Sequence, residues 1–149
     1  MTRKQLLYNF CQDSIQNRID RIQKNILSLQ ESLTSETKSS AGDKHETGRA
    51  MVQLEREKMG SQLQEAERTK QLLDKLDLNV QSVKIGLGTL VYTSKANYFL
   101  SVSLGELKEH EFCVYCISSQ TPMGLLLVGK SIGDVIDFNG ESIEILKLE

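Results

Sequence analysis

The sequence has no tryptophan, a single proline and few aromatic residues of any kind, 5% in all. A deep pocket walled by aromatic rings is therefore poorly supplied. Cysteine is scarce too: three, an odd number with no framework of spacings, which excludes a disulfide-stapled scaffold and points to a reducing, cytoplasmic setting. No long apolar run exists. The longest, over residues 123–128, is interrupted by Gly124 and falls far short of the roughly 20 residues that span a bilayer. The opening Met-Thr-Arg-Lys-Gln leads into no apolar segment, so neither a secretory signal nor a membrane partner is expected. Charge of neither sign dominates. With 18 Lys and Arg against 20 Asp and Glu, the net charge of −2 gives no electrostatic basis for a freestanding nucleic-acid binder.

What is present is distributed unevenly over the 149 residues. Residues 1–78 hold no proline and only Gly42, Gly48 and Gly60, and are rich in Gln, Glu, Lys, Arg and Leu. Residues 79–149 hold the proline, the other seven glycines and most of the β-branched and aromatic residues. The first half reads as helix and the second as sheet with turns, with the boundary near residues 77–82. The expected domains are 1–78 and 79–149.

The helical half has a legible geometry. Apolar residues recur at Tyr8, Cys11, Ile15, Ile19, Ile22, Ile26, Leu29 and Leu33, in steps of three and four. A second series runs Met51, Leu54, Met59, Leu63, Ala66, Lys70, Leu73, Leu76, with Lys70 the polar exception. When the first series is paired with the second in reverse, from Leu33 with Met51 to Tyr8 with Leu76, each pair of positions adds to between 83 and 85. Two antiparallel helices folded at a tip have this property, because facing residues are equidistant from the turn. The spacing predicts helices over about 5–40 and 43–77, turning at Gly42, each arm roughly 45–50 Å long at 1.5 Å per residue.

At the tip stand Asp43 and Glu46, with His45 between them. Residues three apart in a first helical turn can face the same way. Asp followed by Glu at this spacing is a capping box, and that role accounts for both residues by itself. Two carboxylates at the end of a probe could also share a divalent ion with a partner, since Mg²⁺ is commonly held by one or two carboxylates and several waters. His45 reads as an exposed tip side chain.

In the second half, strands are expected over 83–93, 97–103, 111–118, 134–138 and 142–148. Asn139-Gly140 marks a hairpin between the last two. A short helix is expected over 121–130, with Pro122 in its first turn and Gly129 at its end. Cys113 and Cys116 have metal-site spacing, but strand alternation puts them on opposite faces, and buried thiols are the simpler account. The sequence shows no nucleotide-binding loop, no Ser-His-Asp set and no internal repeat.

From Ser118 onward the chain reads Thr-Pro-Met-Gly, then Leu-Leu-Val-Gly-Lys, then Ile-Gly-Asp-Val-Ile. This resembles the C-terminal domain of the bacterial Gre transcript-cleavage factors, with its Ser-Pro-Leu-Gly, Leu-Leu-Gly-Lys and Val-Gly-Asp-Val pattern. Gly42-Asp43-x-x-Glu46 is similar to the Gly-Asp-x-x-Glu at the coiled-coil tip of the same family. The two motifs occur in the family's order, on either side of the hairpin's second arm. The resemblance implies an α+β fold, an antiparallel coiled-coil hairpin followed by a small FKBP-like antiparallel sheet domain with a short helix. It implies RNA polymerase as partner, with the C-terminal domain docked at the secondary channel and the tip reaching the active site and the RNA 3′ end. Asp43 and Glu46 would there help hold the second Mg²⁺ as a backtracked transcript is cut, an accessory role without a cofactor of the chain's own. Pro122, Gly124, Gly129, Lys130, Gly133 and Asp134 would fall at the docking surface.

The sequence departs from the family after Glu46, where Thr47-Gly48-Arg49-Ala50 stand in place of Asn-Ala-Glu-Tyr. The Arg-Pro element of the first helix is also absent, as is the usual N-terminal opening. A polymerase binder that regulates or inhibits without cleavage stays open, as does a plain coiled-coil adaptor. A peptidyl-prolyl isomerase, suggested by the FKBP-like domain, is disfavoured by the scarcity of aromatic residues.

Overall fold

The computed structural model describes residues 2–37, 43–81, 83–109 and 111–149, with side chains described outside 35–47. Two long helices open the chain, α1 (Arg3–Thr37) and α2 (Asp43–Asp74). Six strands follow: β1 (Leu90–Thr93), β2 (Asn97–Leu100), β3 (Gly105–Glu109), β4 (Phe112–Ile117), β5 (Val135–Phe138) and β6 (Glu141–Leu148). A short helix, α3 (Pro122–Leu127), lies between β4 and β5. By compactness the chain divides into Met1–Ser14 with Gln71–Glu149, and Ile15–Lys70. The sheet unit thus takes in the first turns of α1 and the end of α2.

The hairpin unit follows from the seam. Ile15, Ile19 and Ala66 are buried, and Ile22, Met59 and Leu63 half-buried, as a helix pair closed along one stripe requires. Lys70 keeps its seam position because its ammonium donates to Gln16 Oε1 at 2.6 Å, so the polar exception has a polar partner across the pair. Nearer the tip the seam differs from expectation. Met51 and Leu54 are 66% exposed, while Gly48 and Val52 are half-buried. Counting back from Met59 by seven gives Val52, so a strict heptad turns Met51 and Leu54 outward. The turn expected at Gly42 lies outside the described residues.

In the sheet unit the strand order is β3-β4-β2-β1-β6-β5. Four neighbouring pairs are antiparallel, but β2 and β4 are parallel, so the sheet is mixed where an all-antiparallel one was expected. The cause is β3, which the sequence did not announce. It pairs outside β4 and returns the chain so that β4 runs alongside β2 in the same direction. The first strand is shorter than expected. Gly86 and Gly88 interrupt the pattern, Gly88 takes φ 90°, and the strand begins only at Leu90. Ile85 is still tied in, donating to Lys130 O and accepting from Gly129 N, both at 2.8 Å. The Asn139-Gly140 hairpin forms as expected, with φ 51° and 81°, the pair of positive values that a two-residue type I′ turn needs.

Both faces of the central strands are covered. On one, Val91, Tyr98, Leu100, Ile136, Ile143 and Ile145 pack with Met123 and Leu127 of α3. On the other, buried Phe99 and Cys116 share the face of Ser101, which meets Cys11 at the start of α1, where Leu7 and Cys11 are fully buried. Strands covered twice show consecutive buried residues, as at Leu90-Val91 and at Tyr98-Phe99-Leu100.

Candidate functional site

The segment between β4 and β5 carries the motif residues, and most of them shape the backbone. Thr121 caps α3: its Oγ1 accepts from Gly124 N at 3.1 Å and donates to Ser118 O at 2.8 Å. Pro122 follows in the first turn, where its missing N–H costs nothing. A Cβ on Gly124 would lie 2.1 Å from Ser118 O, so only glycine fits beneath the incoming loop. Gly129 and Gly133 adopt φ 82° and 91°, conformations that L side chains rarely take. Asp134 Oδ2 accepts from Ser131 N at 2.8 Å and closes the turn into β5, while its carbonyl accepts from Ile145 N. The carbonyl of Lys130 receives Ile85 N.

The same backbone presents Pro122, already expected at the docking surface, beside side chains the sequence pattern did not single out. Leu125 is 63% exposed and Ile132 60%, with Val128, Val135 and Pro122 also exposed. A six-residue helix explains this, because it has one inner face. Met123 and Leu127 fill that face, and Leu125 and Val128, three apart, lie together on the outer one. The run Leu125 to Val128 was the available signal: four successive apolar residues, three on a short helix and the fourth at its C-cap, cannot all point inward. Exposed large apolar side chains are candidates for interaction sites where they form a contiguous patch.

At the other end of the chain's pattern, α2 begins at Asp43, so Asp43 and Glu46 stand in its first turn at the closed end of the helix pair. Their side chains, and that of His45, lie outside the described residues. Among the described residues no cluster of three or more His, Cys, Asp or Glu side chains could hold a metal ion. The Cys113/Cys116 pair separates as the alternation requires. The half-buried Cys113 donates to Glu106 Oε1 at 2.7 Å, and that bond pushes its pKa up, while Cys116 is buried on the opposite face. Only one of the two is thus the buried thiol expected.

A polar network secures the C-terminal strand to the start of α1. Arg3 donates to Tyr92 OH at 3.1 Å, and Tyr92 donates to Glu149 Oε2 at 3.0 Å. The guanidinium of Arg3 also lies 4.0 Å from the centre of the Phe112 ring. Lys147 bonds the other Glu149 oxygen at 2.9 Å. That ammonium first, then the Tyr92 hydroxyl, holds the Glu149 carboxyl below its ordinary range against the opposing effect of burial. Lys4, nearly buried, donates to Leu78 O, and burial pushes its pKa down. Beside this network a cleft of about 420 Å³ has Leu6, Leu107 and Phe112 as apolar walls and Glu109 and Glu111 at its border. Among the described residues, no helix is long and apolar enough to cross a membrane.

No protein-family model matches the sequence, and no curated protein matches it. Among solved structures, the chain is similar to one of the transcription factor Gfh1, at 16% identity over 93% of this chain and 92% of that one, with a TM-score of 0.37. It is also similar to Gfh1 of Thermus aquaticus, at 14% identity over 93% of each chain, with a TM-score of 0.35.

Proposed function

We propose that this chain is an accessory factor of RNA polymerase, which docks through its sheet unit and presents Asp43 and Glu46 at the tip of its helix pair to the polymerase active site. The observation that carries this is the placement of the two Gre-like motifs. One stands at the first turn of α2, at the closed end of a pair whose arms are 35 and 32 residues long. The other builds the α3 segment, which turns Leu125, Val128 and Ile132 outward. Outside the sheet unit the helices run over 15–37 and 43–70, roughly 35–40 Å of paired helix at 1.5 Å per residue, a length that suits a probe.

In this role the carboxylates supply charge and oxygen ligands, which Mg²⁺ prefers, and leave most of the coordination to water and to the polymerase. The polymerase's own metal ions polarise the phosphate and activate water. The factor contributes position and negative charge, and it is no enzyme by itself. It works in the cytoplasm, with the polymerase and, through it, the RNA 3′ end as partners.

The test is transcript cleavage by a stalled polymerase complex. Asn at a helix N-cap is as good as Asp, and Gln still serves a capping box, so Asp43→Asn and Glu46→Gln keep the fold. Each variant is expected to bind polymerase normally and to lose cleavage at least tenfold at limiting Mg²⁺, with partial recovery at higher Mg²⁺. If both variants cleave like the parent, the carboxylates are caps and nothing more. A second outcome has its own motivation in Thr47-Gly48-Arg49, which replace the family's acidic and aromatic continuation. A parent chain that binds and slows the polymerase without cleavage would establish the inhibitory form of the same docking.

A further inference from the structure

The cleft beside the start of α1 has no part in the function proposed above. Leu6, Leu107 and Phe112, each half-buried, form its apolar walls, and it spans about 420 Å³. Phe112 is paired with Glu109 across β3 and β4, and Leu107 lies two residues before Glu109 on the same strand. These three therefore stand on one face of the sheet. Cys116, four residues along β4 from Phe112, shares that face, which is the one opposite α3. Glu111, just before Phe112, borders the cleft together with Glu109. Both are exposed, and among the described residues neither carboxylate has a hydrogen-bond or ion-pair partner. Arg3, the cation in the lining, is committed within the chain: it donates to Tyr92 OH at 3.1 Å and lies 4.0 Å from the centre of the Phe112 ring. Accessible apolar walls thus stand beside two uncompensated negative charges.

We propose that this cleft docks a basic peptide segment of a partner protein, with one large apolar side chain inserted between Leu6, Leu107 and Phe112 and Lys or Arg beside it facing Glu109 and Glu111. The chemistry selects this occupant. An apolar anchor seated in a pocket supplies most of the affinity of such contacts. Exposed ion pairs add little energy each, but complementary charge selects the partner and speeds encounter. An acidic peptide would bring like charges together at the border and is rejected. A second copy of this chain is rejected on the same ground, since β3 offers Glu106 and Glu109 against one base, Lys108, which already pairs with Glu106. The charges that guard this edge strand against its own copies therefore suit a partner of opposite sign. Because the cleft lies on the face opposite α3, a peptide held there leaves Leu125 and Val128 clear.

The experiment measures fluorescence anisotropy of labelled synthetic peptides titrated with the full chain, in the absence of polymerase. One peptide reads Gly-Lys-Lys-Phe-Lys-Lys-Gly, and the other has Ser in place of Phe and hence the same charge. The first is expected to bind saturably, one per chain, and the second at least tenfold more weakly. Glu109→Lys should weaken the first peptide at least fivefold. Glu144→Lys, an equal change of charge at an exposed residue of β6, should alter it less than twofold. Leu107→Ser should weaken it at least fivefold, with the circular dichroism of the parent retained. The proposal is overturned if the two peptides bind alike, because the attraction is then charge alone. Equal losses from Glu109→Lys and Glu144→Lys, or a Leu107→Ser chain that binds like the parent, would place the peptide elsewhere and overturn it too. So would the absence of saturable binding by the folded parent. None of these readouts depends on the polymerase.

Discussion

Gly124 shows how a motif residue can be required for shape. A methyl group there would meet Ser118 O at 2.1 Å, and that oxygen belongs to the backbone, so the loop and α3 must part. Gly124→Ala is expected to lower stability by about 1–3 kcal/mol, the usual cost of forcing an extra carbon into a filled space, as measured by urea unfolding. Leu125→Gln, on the exposed face, should change stability by less than about 0.5 kcal/mol. Glu149 gives a pH signature. Its carboxyl is held below the ordinary 4.5 by Lys147 and Tyr92, so its stabilising effect is complete above that value and fades as pH falls through the lowered one. The parent should therefore lose stability faster than Glu149→Gln on acidification below about pH 5, a difference read from thermal midpoints across the acid range. A variant that tracks the parent over that range would contradict the assignment. The sequence could name Gly124 from the motif but not the reason for it. The oxygen it accommodates belongs to Ser118, and only the folded loop brings the two together.

Among the elements, the helices were the most legible and the sheet edge the least. A stripe of apolar residues at steps of three and four persists over many turns, and the seam predicted from it holds at Ile15, Ile19, Ala66 and Leu73. It misplaced Met51 and Leu54 because size and apolarity were counted where the heptad spacing should have decided, and Val52 has the correct phase. Replacing a seam residue and an outward one separates the two cases. Ile15→Ala should cost about 2–5 kcal/mol, and Leu54→Gln almost nothing, in chemical unfolding of the full chain. Equal losses would return Leu54 to the seam. Strand β3 was missed for a physical reason. Its burial pattern is exposed at every position but Leu107, and Glu106, Lys108 and Glu109 give it the charge that edge strands use to avoid pairing with other chains. Such a strand carries no alternation for a sequence to reveal.

At the scale of the whole molecule, the fold class expected from the sequence, a helix hairpin followed by a sheet with one short helix, is the fold observed. Leu7, Cys11 and Leu73 are fully buried in the compact unit that holds the sheet. Periodicity reports where a helix runs but not which body its ends join. A fragment carrying residues 79–149 alone would leave the face of Phe99 and Ser101 without Cys11, whereas the full chain keeps it covered. The candidate docking side chains were legible only in outline, since the motif glycines marked the segment and the outward face of α3 supplied Leu125, Val128 and Ile132. The most direct test is equilibrium binding of the labelled full chain to RNA polymerase core enzyme, with Leu125→Glu and Ile132→Glu beside it. Saturable binding is expected for the parent, weakened at least tenfold by either charge. Absence of binding by the correctly folded parent would contradict the account.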